Sequence, residues 1–239
     1  MKAARLVYPN RCCVCDEVQT SPGTLCEACA PLRLYPAQPG ARCAVCGVPN
    51  KRCVCCEDAL FTTLTFPFYY EGRVRQALHR MKFRGRTDLF LPFAREMAAA
   101  LAARDLRRTD FDCVCFVPMR GADRRKRGYN QAEELAKSLG KALDLPVLPL
   151  LEKTAKTGQQ HDLPQRLRRG NILGAFEINH QLLSHIEGRR LLLVDDIHTS
   201  GSTLNEAAKT LLIFGAARVD CLCAAATPAV GSAGAANAK

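Results

Sequence analysis

The segment from Leu191 to Ala216 constrains the fold of this chain more than any other stretch. It begins with four consecutive apolar residues, LLLV, a pattern typical of a strand buried on both faces of a parallel sheet. We predict that Asp195 and Asp196 end this strand and that residues 197–203 form a loop. An amphipathic helix is predicted to follow, with Gly215 just past its C-terminus. The segment therefore predicts the strand, loop and helix of an α/β fold.

The predicted loop has the composition of a phosphate-binding site. Thr199, Ser200, Ser202 and Thr203 supply hydroxyl donors, and Gly201 permits close approach of the backbone and a positive φ. The first N–H groups of a helix have no partner within the helix, and the helix dipole favours an anion at this end. We therefore expect these five residues to hold a phosphate group.

The two acidic residues before the loop add a sugar site. Asp195 and Asp196 can accept hydrogen bonds from two vicinal hydroxyls, such as the 2′,3′-diol of ribose. A P-loop nucleoside triphosphatase would need GxxxxGK[ST] and a dinucleotide fold GxGxxG, and the sequence contains neither motif. The remaining alternative is that the acidic pair only caps the strand and faces solvent. The complete pattern favours a ribose 5-phosphate as the ligand.

Four CxxC pairs dominate the first fifty-six residues. Their members are Cys12 and Cys15, Cys26 and Cys29, Cys43 and Cys46, and Cys53 and Cys56. Each CxxC turn places two thiolates on one side of a tight turn, and two such turns complete a tetrahedron around Zn²⁺. Sequential pairing predicts two structural zinc sites, while a crossed pairing, an iron–sulfur cluster and a substitute ligand at Cys55 are alternatives.

The start of the chain and the charge balance indicate the compartment and the class of partner. The N-terminal residues contain no hydrophobic stretch of a secretory signal, so fourteen cysteines predict metal binding in a reducing, cytoplasmic environment. No apolar run approaches the ~18–20 residues that span a bilayer, so membrane insertion is not expected. The formal charge of +11 and the pI of about 9.1 favour anionic partners.

A change in composition after Ala59 predicts the domain boundary, because the CxxC pairs end there and β-forming residues begin. We predict a double zinc ribbon at 1–59, an α/β domain at 60–228 and a disordered tail at 229–239. An edge strand is predicted at 64–70, since Pro67 cannot donate to a central ladder. Further elements are a helix burying Val74, Leu78 and Met81, a helix at 91–103, and strands at 112–117 and 147–151.

A basic loop is predicted between the strand at 112–117 and the next helix, which Asn130 is expected to cap. Its charged residues are Arg120, Arg124, Arg125, Lys126 and Arg127 against Asp123, a net charge of +4. The carboxyl end of a parallel strand is where open α/β sheets bind ligands, which favours a functional loop over a merely solvated one. Tyr129 is its only ring, so we expect electrostatic nucleic-acid binding, if any, without a stacking platform.

The combined motifs resemble the ComF competence family, the double zinc ribbon phosphoribosyltransferases. The segment LLLVDDIHTSGST resembles the signature for phosphoribosyl pyrophosphate (PRPP) of type I phosphoribosyltransferases. The motifs PMR-(basic)-RGYNQAExLA at 118–136 and TxxQxxLxxxxRxxNxxGAF at 157–176 complete the resemblance. It implies a type I phosphoribosyltransferase fold, an α/β fold with a mostly parallel sheet and helices on both faces, preceded by a small Cys-rich zinc ribbon domain.

The resemblance also implies roles for individual residues. The catalytic pair Asp195 and Asp196 would hold the ribose hydroxyls near Mg²⁺, and residues 199–203 would hold the 5′-phosphate. The pyrophosphate would be faced by Met119, Arg120 and Arg127. It would also be contacted from the region of a mobile flap at 157–171, by Arg168 within the flap and by Lys153 in the strand before it. This chain departs from its relatives in reading Pro118-Met119-Arg120 for P-L-H, in interrupting the basic run with Gly121-Ala122-Asp123, and in placing His198 where a small or hydroxyl residue is usual.

Three functions follow from these expectations. The first is a transferase that moves phosphoribosyl from PRPP, with Mg²⁺, to an acceptor that the sequence does not identify. The second is a non-catalytic accessory that binds single-stranded DNA, and the third is a regulatory module that senses PRPP. The resemblance implies a role in DNA uptake and natural transformation, with single-stranded DNA and other competence proteins as partners.

Overall fold

The computed structural model of the chain describes residues 10–19, 23–35, 43–49, 53–54, 59–154 and 175–228. Its strands are β1 (Thr63–Thr65), β2 (Phe68–Tyr69), β3 (Cys113–Phe116), β4 (Leu151–Lys153), β5 (Phe176–Ile178), β6 (Arg190–His198) and β7 (Arg218–Ala226). Its α-helices are α1 (Gly72–Phe83), α2 (Phe90–Ala102), α3 (Gly121–Arg127), α4 (Gln131–Leu143) and α5 (Ser202–Ile213). Short 3₁₀ turns lie at Ala30–Leu32, Thr87–Leu89, Arg108–Asp110 and His180–His185.

Five strands form a parallel sheet in the order β1, β7, β6 and β3, with β2 also paired to β7. The connection from β2 to β3 crosses the sheet in one direction, and the connection from β6 through α5 to β7 runs in the other. Since crossovers between parallel strands are right-handed, these two connections lie on opposite faces. In agreement, α2 and α4 pack against each other, whereas α5 packs against β5, β6 and β7. The predicted α/β fold, with a mostly parallel sheet between helices, is confirmed.

The strand β6 occupies the middle of this sheet. Residues 191–194 are fully buried between the helical layers, as their apolar run predicts. The helix α5 ends in a Schellman motif, in which Gly215 has a φ of 93° and Ala216 N–H donates to the carbonyl of Leu211. The predicted edge strand is also confirmed, although Pro67 divides it into β1 and β2.

Three sequence predictions about local structure are corrected. The strand β6 does not end at Asp195 and Asp196 but continues to His198, because the backbone still pairs with β7 at Ile197 and His198. The loop is therefore only 199–201, and α5 begins at Ser202. The predicted basic loop contains the two-turn helix α3, which ends where Gly128 adopts a φ of 84°.

The third correction concerns the strand predicted at 147–151. Its first residue, Val147, forms an isolated parallel bridge to Val114 of β3. Regular pairing begins at Leu151 in β4, which forms an antiparallel hairpin with β5. The predicted flap at 157–171, with Arg168, and the predicted tail at 229–239 lie outside the described residues.

The Cys-rich segments pack directly on the parallel sheet and its helices. On one side, the Arg104 guanidinium after α2 donates to the carbonyls of Val45, at 3.0 Å, and of Leu64 in β1, at 2.7 Å. The backbone N–H of Leu64 also donates to Val45, at 3.0 Å. On the other side, Arg86 forms a two-point ion pair with Asp16, at 2.7 and 2.8 Å. The boundary proposed after residue 59 stays a prediction, since this packing alone does not define domains.

A buried carboxylate in α2 anchors the first Cys-rich segment. Glu96 is only 3% exposed and pairs with the Arg33 guanidinium at 2.7 and 2.8 Å. The hydroxyls of Thr24 and Tyr35 also donate to it. Burial acts to raise the pKa of Glu96, but the donors, above all Arg33, outweigh burial and lower the pKa below its usual value. This carboxylate is therefore ionised in the folded protein.

Replacing this carboxylate tests the anchor. Glu96→Gln is expected to lower the free energy of unfolding by about 3 kcal/mol, because it breaks a buried ion pair. This cost is near the lower end for such pairs, because the side chain of Arg33 is 32% exposed. Urea unfolding measures this cost, and Glu187→Gln, on an exposed glutamate, is the matched control.

The same variant tests the pH dependence of stability. Because the folded pKa is lowered, the contribution of Glu96 is complete above the ordinary value of 4.5 and is lost as the pH falls through the folded value. The difference between wild type and Glu96→Gln should therefore shrink below pH 4.5. Equal stability of the two proteins at neutral pH would contradict the anchoring role.

Candidate active site

A cleft of about 340 Å³ lies at the carboxyl ends of β3 and β6. It is lined by Lys82, Val117, Pro118, Met119, Arg120, Asp123, Arg127, Asn130, Gln131, Ala132, Lys153, Asp195 and Asp196. These residues come from α1, the segment from β3 to α4, the hairpin and β6. Open parallel sheets bind ligands at this edge because helix N-termini and strand-end loops converge there. The structure thus brings together the predicted acidic pair and four of the five residues predicted to act on the pyrophosphate, all except Arg168.

The acidic pair is held rigidly by the backbone of β6. Asp195 accepts a hydrogen bond from the N–H of Asp196 at 2.8 Å, and Asp196 accepts one from the N–H of Ile197 at 2.8 Å. Burial, followed by the neighbouring charge of Asp196, raises the pKa of Asp195 well above its ordinary range. A cation or hydroxyl donors beside the pair would offset this cost and favour the ionised form of Asp195.

One cation already faces the pair. The Lys82 ammonium in the last turn of α1 lies 3.5 Å from Oδ2 of Asp196, and both side chains are largely buried. The sequence shows Lys82 as one of several basic residues at the end of this helix, where the ordinary explanation is attraction to the helix C-terminus. Its proximity to Asp196 depends on the packing of α1 beside the sheet, which the sequence does not indicate.

The predicted pyrophosphate side of the cleft is cationic. Met119, Arg120 and Arg127 line it from the end of β3 and from α3. Lys153 faces them from the hairpin, where its ammonium lies 5.0 Å from the ring centre of Phe176. Arg168 lies outside the described residues, so its predicted role stays untested.

The N-terminus of α4 fixes the path of the chain beside the cleft. Asn130 caps the helix as predicted, accepting from Ala132 N–H at 3.1 Å, and its amide donates to the carbonyl of Val117 at 3.0 Å. The hydroxyl of Tyr129 donates to the carbonyl of Met81 in α1. These bonds tie β3, α1 and α4 together around the cleft.

Gln131 is a site residue that sequence reasoning missed. It lines the cleft at the start of α4 and is only 1% exposed, yet neither its amide nitrogen nor its carbonyl oxygen has a hydrogen-bond partner among the residues that the structure describes. An unpaired buried polar group costs roughly 1–3 kcal/mol. The motif RGYNQAExLA contains this glutamine, but a glutamine at the start of a helix has the pattern of an ordinary polar residue, so the sequence assigned it no role. Its unpaired amide marks a place where a ligand with both a donor and an acceptor would bind.

The predicted phosphate loop lies beside the cleft rather than in its lining. Thr199, Ser200, Ser202 and Thr203 are exposed, and none of them is among the described residues that line the cleft. Gly201 has a φ of 81°, as predicted, and Ser200 Oγ lies 3.0 Å from Ser202 Oγ. The N-terminus of α5 therefore opens to solvent next to the acidic pair, with several hydroxyl groups around it.

His198 connects this loop to the Cys-rich region. Its Nε2–H donates to the carbonyl of Val54 at 2.8 Å, while its Nδ1 is buried and has no partner in the described part of the chain. Burial lowers the pKa of this imidazole, so the ring is neutral. Packing thus explains the unusual histidine before the loop, because its imidazole holds Val54, the residue next to Cys53.

The cysteines gather in the sequential arrangement. Cys12, Cys15, Cys26 and Cys29 form one cluster, with all four sulfur atoms within 4.8 Å of one another. Cys15 Sγ lies 3.6 Å from Cys26 Sγ, close to the edge of about 3.8 Å of a tetrahedron of thiolates at ~2.3 Å from zinc. Burial raises the pKa of Cys12, but backbone N–H groups outweigh burial and lower it to about 7, which favours the thiolate that binds metal.

A second cluster contains Cys43, Cys46 and Cys53, again with all sulfur atoms within 4.8 Å. Cys46 Sγ lies 3.6 Å from Cys53 Sγ. The predicted fourth ligand, Cys56, and its possible substitute Cys55 lie outside the described residues. The donor atoms and spacing of both clusters fit Zn²⁺.

Among the helices that the structure describes, none has the length and apolar character that spanning a bilayer requires.

Comparisons with known proteins agree with this architecture. Residues 91–233 match the family of the phosphoribosyl transferase domain. The chain is 30% identical to DNA utilization protein YhgH of Escherichia coli strain K12 over 219 residues, 89% of each chain. It is 36% identical to competence protein F of Haemophilus influenzae over 58% of this chain and 61% of that protein. It is 27% identical to competence protein ComFC of Bacillus subtilis over 74% of each chain.

Two independent features therefore lead to one assignment. The parallel sheet with its acidic pair matches the phosphoribosyl transferase domain, and the similarity to the relative from Escherichia coli covers 89% of the chain, so it extends beyond this domain into the Cys-rich region. The chain belongs to the ComF competence family, in which a Cys-rich region fitted for zinc precedes a phosphoribosyltransferase domain.

Proposed function

We propose that this protein binds PRPP with Mg²⁺ and transfers its phosphoribosyl group to an acceptor during DNA uptake. The observation that carries the proposal is the meeting of Asp195 and Asp196 with cations from three other parts of the chain. Carboxylates suit a ribose diol, and Lys82, Arg120 and Lys153 suit a pyrophosphate. A site for a nucleic-acid backbone alone would gain nothing from two carboxylates, which repel phosphodiesters.

The residues of the cleft account for both ends of such a reaction. The bond between C1 of the ribose and the pyrophosphate oxygen breaks, the electron pair leaves with pyrophosphate, and the acceptor nucleophile forms the new bond to C1. Charge grows on the leaving group, and the cationic side chains of α3 and the hairpin are placed to stabilise it. Asp195 and Asp196 hold the diol and are the groups that would hold Mg²⁺, which neutralises pyrophosphate when bound.

The phosphate loop and the acidic pair act as two holding points on one sugar. Residues 199–203 would bind the 5′-phosphate through the N-terminus of α5, because free N–H groups and hydroxyls converge there. The diol and the 5′-phosphate lie at opposite sides of the ribose. The acidic pair would bind the first, and the loop that follows it in the sequence would bind the second. Holding both fixes C1 toward the cationic wall of the cleft.

A second candidate function, binding of single-stranded DNA, rests on the exposure of the basic helix α3. Arg124, Arg125 and Lys126 are exposed on it, beyond what a PRPP cleft uses. Relatives are named for DNA utilization and competence. We propose that DNA and other competence proteins are its partners and that it acts in the cytoplasm.

If PRPP binds but no acceptor provokes pyrophosphate release, a PRPP-sensing role replaces the transferase.

The acidic pair provides the first test. Asp195→Asn with Asp196→Asn is expected to weaken Mg²⁺-dependent PRPP binding sharply, because amides lose the charge that strengthens these hydrogen bonds. Each charged hydrogen bond contributes roughly 1.5–3 kcal/mol, so we expect about a ten- to hundred-fold loss per residue in calorimetric titrations.

The matched control is Asp144→Asn, at the end of α4 away from the cleft. Asp144 is 96% exposed and has a φ of 53°, a conformation that asparagine adopts well. It should bind PRPP as wild type does. If the double variant in β6 also binds normally, the phosphoribosyltransferase proposal loses its main support.

The unpaired amide of Gln131 provides a second test. Gln131→Met keeps the unbranched shape but removes two unpaired polar atoms, so the ligand-free protein should gain about 1 kcal/mol and ~2–4 °C in Tm. PRPP affinity should fall about two- to ten-fold if the amide contacts the ligand. Gln181→Met, on an exposed glutamine, should change neither quantity. A variant with lower stability and unchanged PRPP affinity would show that Gln131 is only structural.

The cysteine clusters provide a third test. Elemental analysis of protein purified without added metal is expected to find two zinc ions per chain, and Cys43→Ser should lose one. Cys115→Ala is the control, because this thiol is buried in β3 away from both clusters. Less than one zinc, or iron with a visible chromophore, would overturn the assignment of the metal.

A further inference from the structure

A groove of about 580 Å³ runs along the exposed side of α1. The described residues that line it are Gly72, Arg75, Gln76, His79, Arg80 and Arg84. They recur at three- and four-residue intervals, so they form one continuous stripe on the helix. Three of them are arginines and none is acidic. The groove therefore has the charge that a chain of phosphates requires.

An exposed aromatic ring lies next to this groove. Phe83 is 57% exposed, and it is the only aromatic residue among the exposed large hydrophobic residues that the structure describes. The ring of His79 packs on it with centres 4.4 Å apart, and the Arg127 guanidinium lies 5.4 Å from its centre. A single exposed phenylalanine is unremarkable on a surface, but one enclosed by a histidine, an arginine and a cationic groove is a platform on which a planar ligand can stack.

The same contacts connect the groove to the candidate active site. His79 lines the groove and touches Phe83, Phe83 touches Arg127, and Arg127 lines the cleft that contains Asp195 and Asp196. A continuous path thus leads from the groove to the cleft. The aromatic ring on this path comes from α1, which explains why the basic segment after β3 alone shows no stacking residue; its own Tyr129 is packed against Phe90 and Met81.

We propose that this surface, from Arg75 and Arg84 across Phe83 to Arg127, binds an unpaired polynucleotide strand. Cations beside an exposed ring suit single-stranded nucleic acid, since the cations follow the backbone and the ring stacks on a base. A duplex keeps its bases stacked on each other and presents only its backbone, so it gains nothing from Phe83. The inference rests on the part of the proposed function that concerns DNA. The surface would lead the bound strand to the mouth of the PRPP cleft.

Fluorescence anisotropy with a labelled oligothymidylate tests the platform. Phe83→Ala should weaken binding about five- to hundred-fold, the equivalent of the ~1–3 kcal/mol that one stacked base contributes. Phe83→Tyr should restore binding and Phe83→Leu should not, because the ring and not its bulk is needed. Ile213→Ala is the matched control, since Ile213 is 50% exposed on α5. The duplex of the same length should bind equally to wild type and Phe83→Ala.

The groove is tested by salt. Arg75→Gln and Arg84→Gln should each lower the slope of the logarithm of affinity against the logarithm of salt concentration by about 0.7. Unchanged slopes would remove the groove from the binding surface. Wild-type affinity in Phe83→Ala, or equal affinity in Phe83→Leu and Phe83→Tyr, would overturn the platform.

Titration of PRPP into Phe83→Ala separates this inference from the proposed function. PRPP affinity should fall far less than oligonucleotide affinity, since Phe83 contacts Arg127 but does not itself line the cleft. If wild type itself binds no PRPP while Phe83→Ala still loses the oligonucleotide, the phosphoribosyltransferase proposal fails and the platform stands. If PRPP binds and Phe83→Ala keeps the oligonucleotide, the platform fails and the other proposal stands.

Discussion

The pairing of β6 with β3 on one side and β7 on the other is the constraint on which the rest of the structure depends. Four apolar residues of β6 are buried on both faces, so a shift of the strand would move apolar side chains out of the core. The pairing with β7 continues to His198, and it fixes the backbone on both sides of Asp195 and Asp196. The two carboxylates therefore lie at the end of β3 by geometry alone. The loop at 199–201 and the start of α5 follow from the same pairing.

The Cys-rich region extends this framework rather than standing apart from it. Val14, Leu25, Val48 and Val54 join the common apolar core. Directed polar contacts add to this packing, as with Arg104 at Val45, Glu96 at Arg33 and His198 at Val54. Free energy released by metal binding in such small segments is also free energy of folding. Since Val54 adjoins Cys53 and His198 adjoins the loop at 199–201, order in the second cysteine cluster and order at the phosphate loop are mechanically connected.

The sequence predicted what depends on local pattern. The apolar run of β6, the cap at Asn130 and the edge strand around Pro67 each follow from neighbours in the chain, and the structure agrees with them. The first three CxxC pairs also cluster as predicted, while Cys56 of the fourth lies outside the described residues. Features that depend on distant parts of the chain escaped prediction. Lys82 at Asp196 and the exposed Phe83 beside Arg127 arise from the packing of α1. The helix α3 escaped because seven mostly charged residues have no apolar face to show a period.

The cleft holds an arrangement that is unfavourable without a ligand. Four cationic side chains, Lys82, Arg120, Arg127 and Lys153, face three carboxylates, those of Asp123, Asp195 and Asp196. Burial opposes ionisation of Asp195, and the amide of Gln131 has given up water without gaining a partner. Folding of the apolar sheet supplies the free energy that keeps these groups in place. A site whose polar groups are already desolvated and oriented loses little more on binding, so its hydrogen bonds to a ligand are available to stabilise developing charge. The same residues that lower the stability of the ligand-free protein are thus the ones that the proposed chemistry needs.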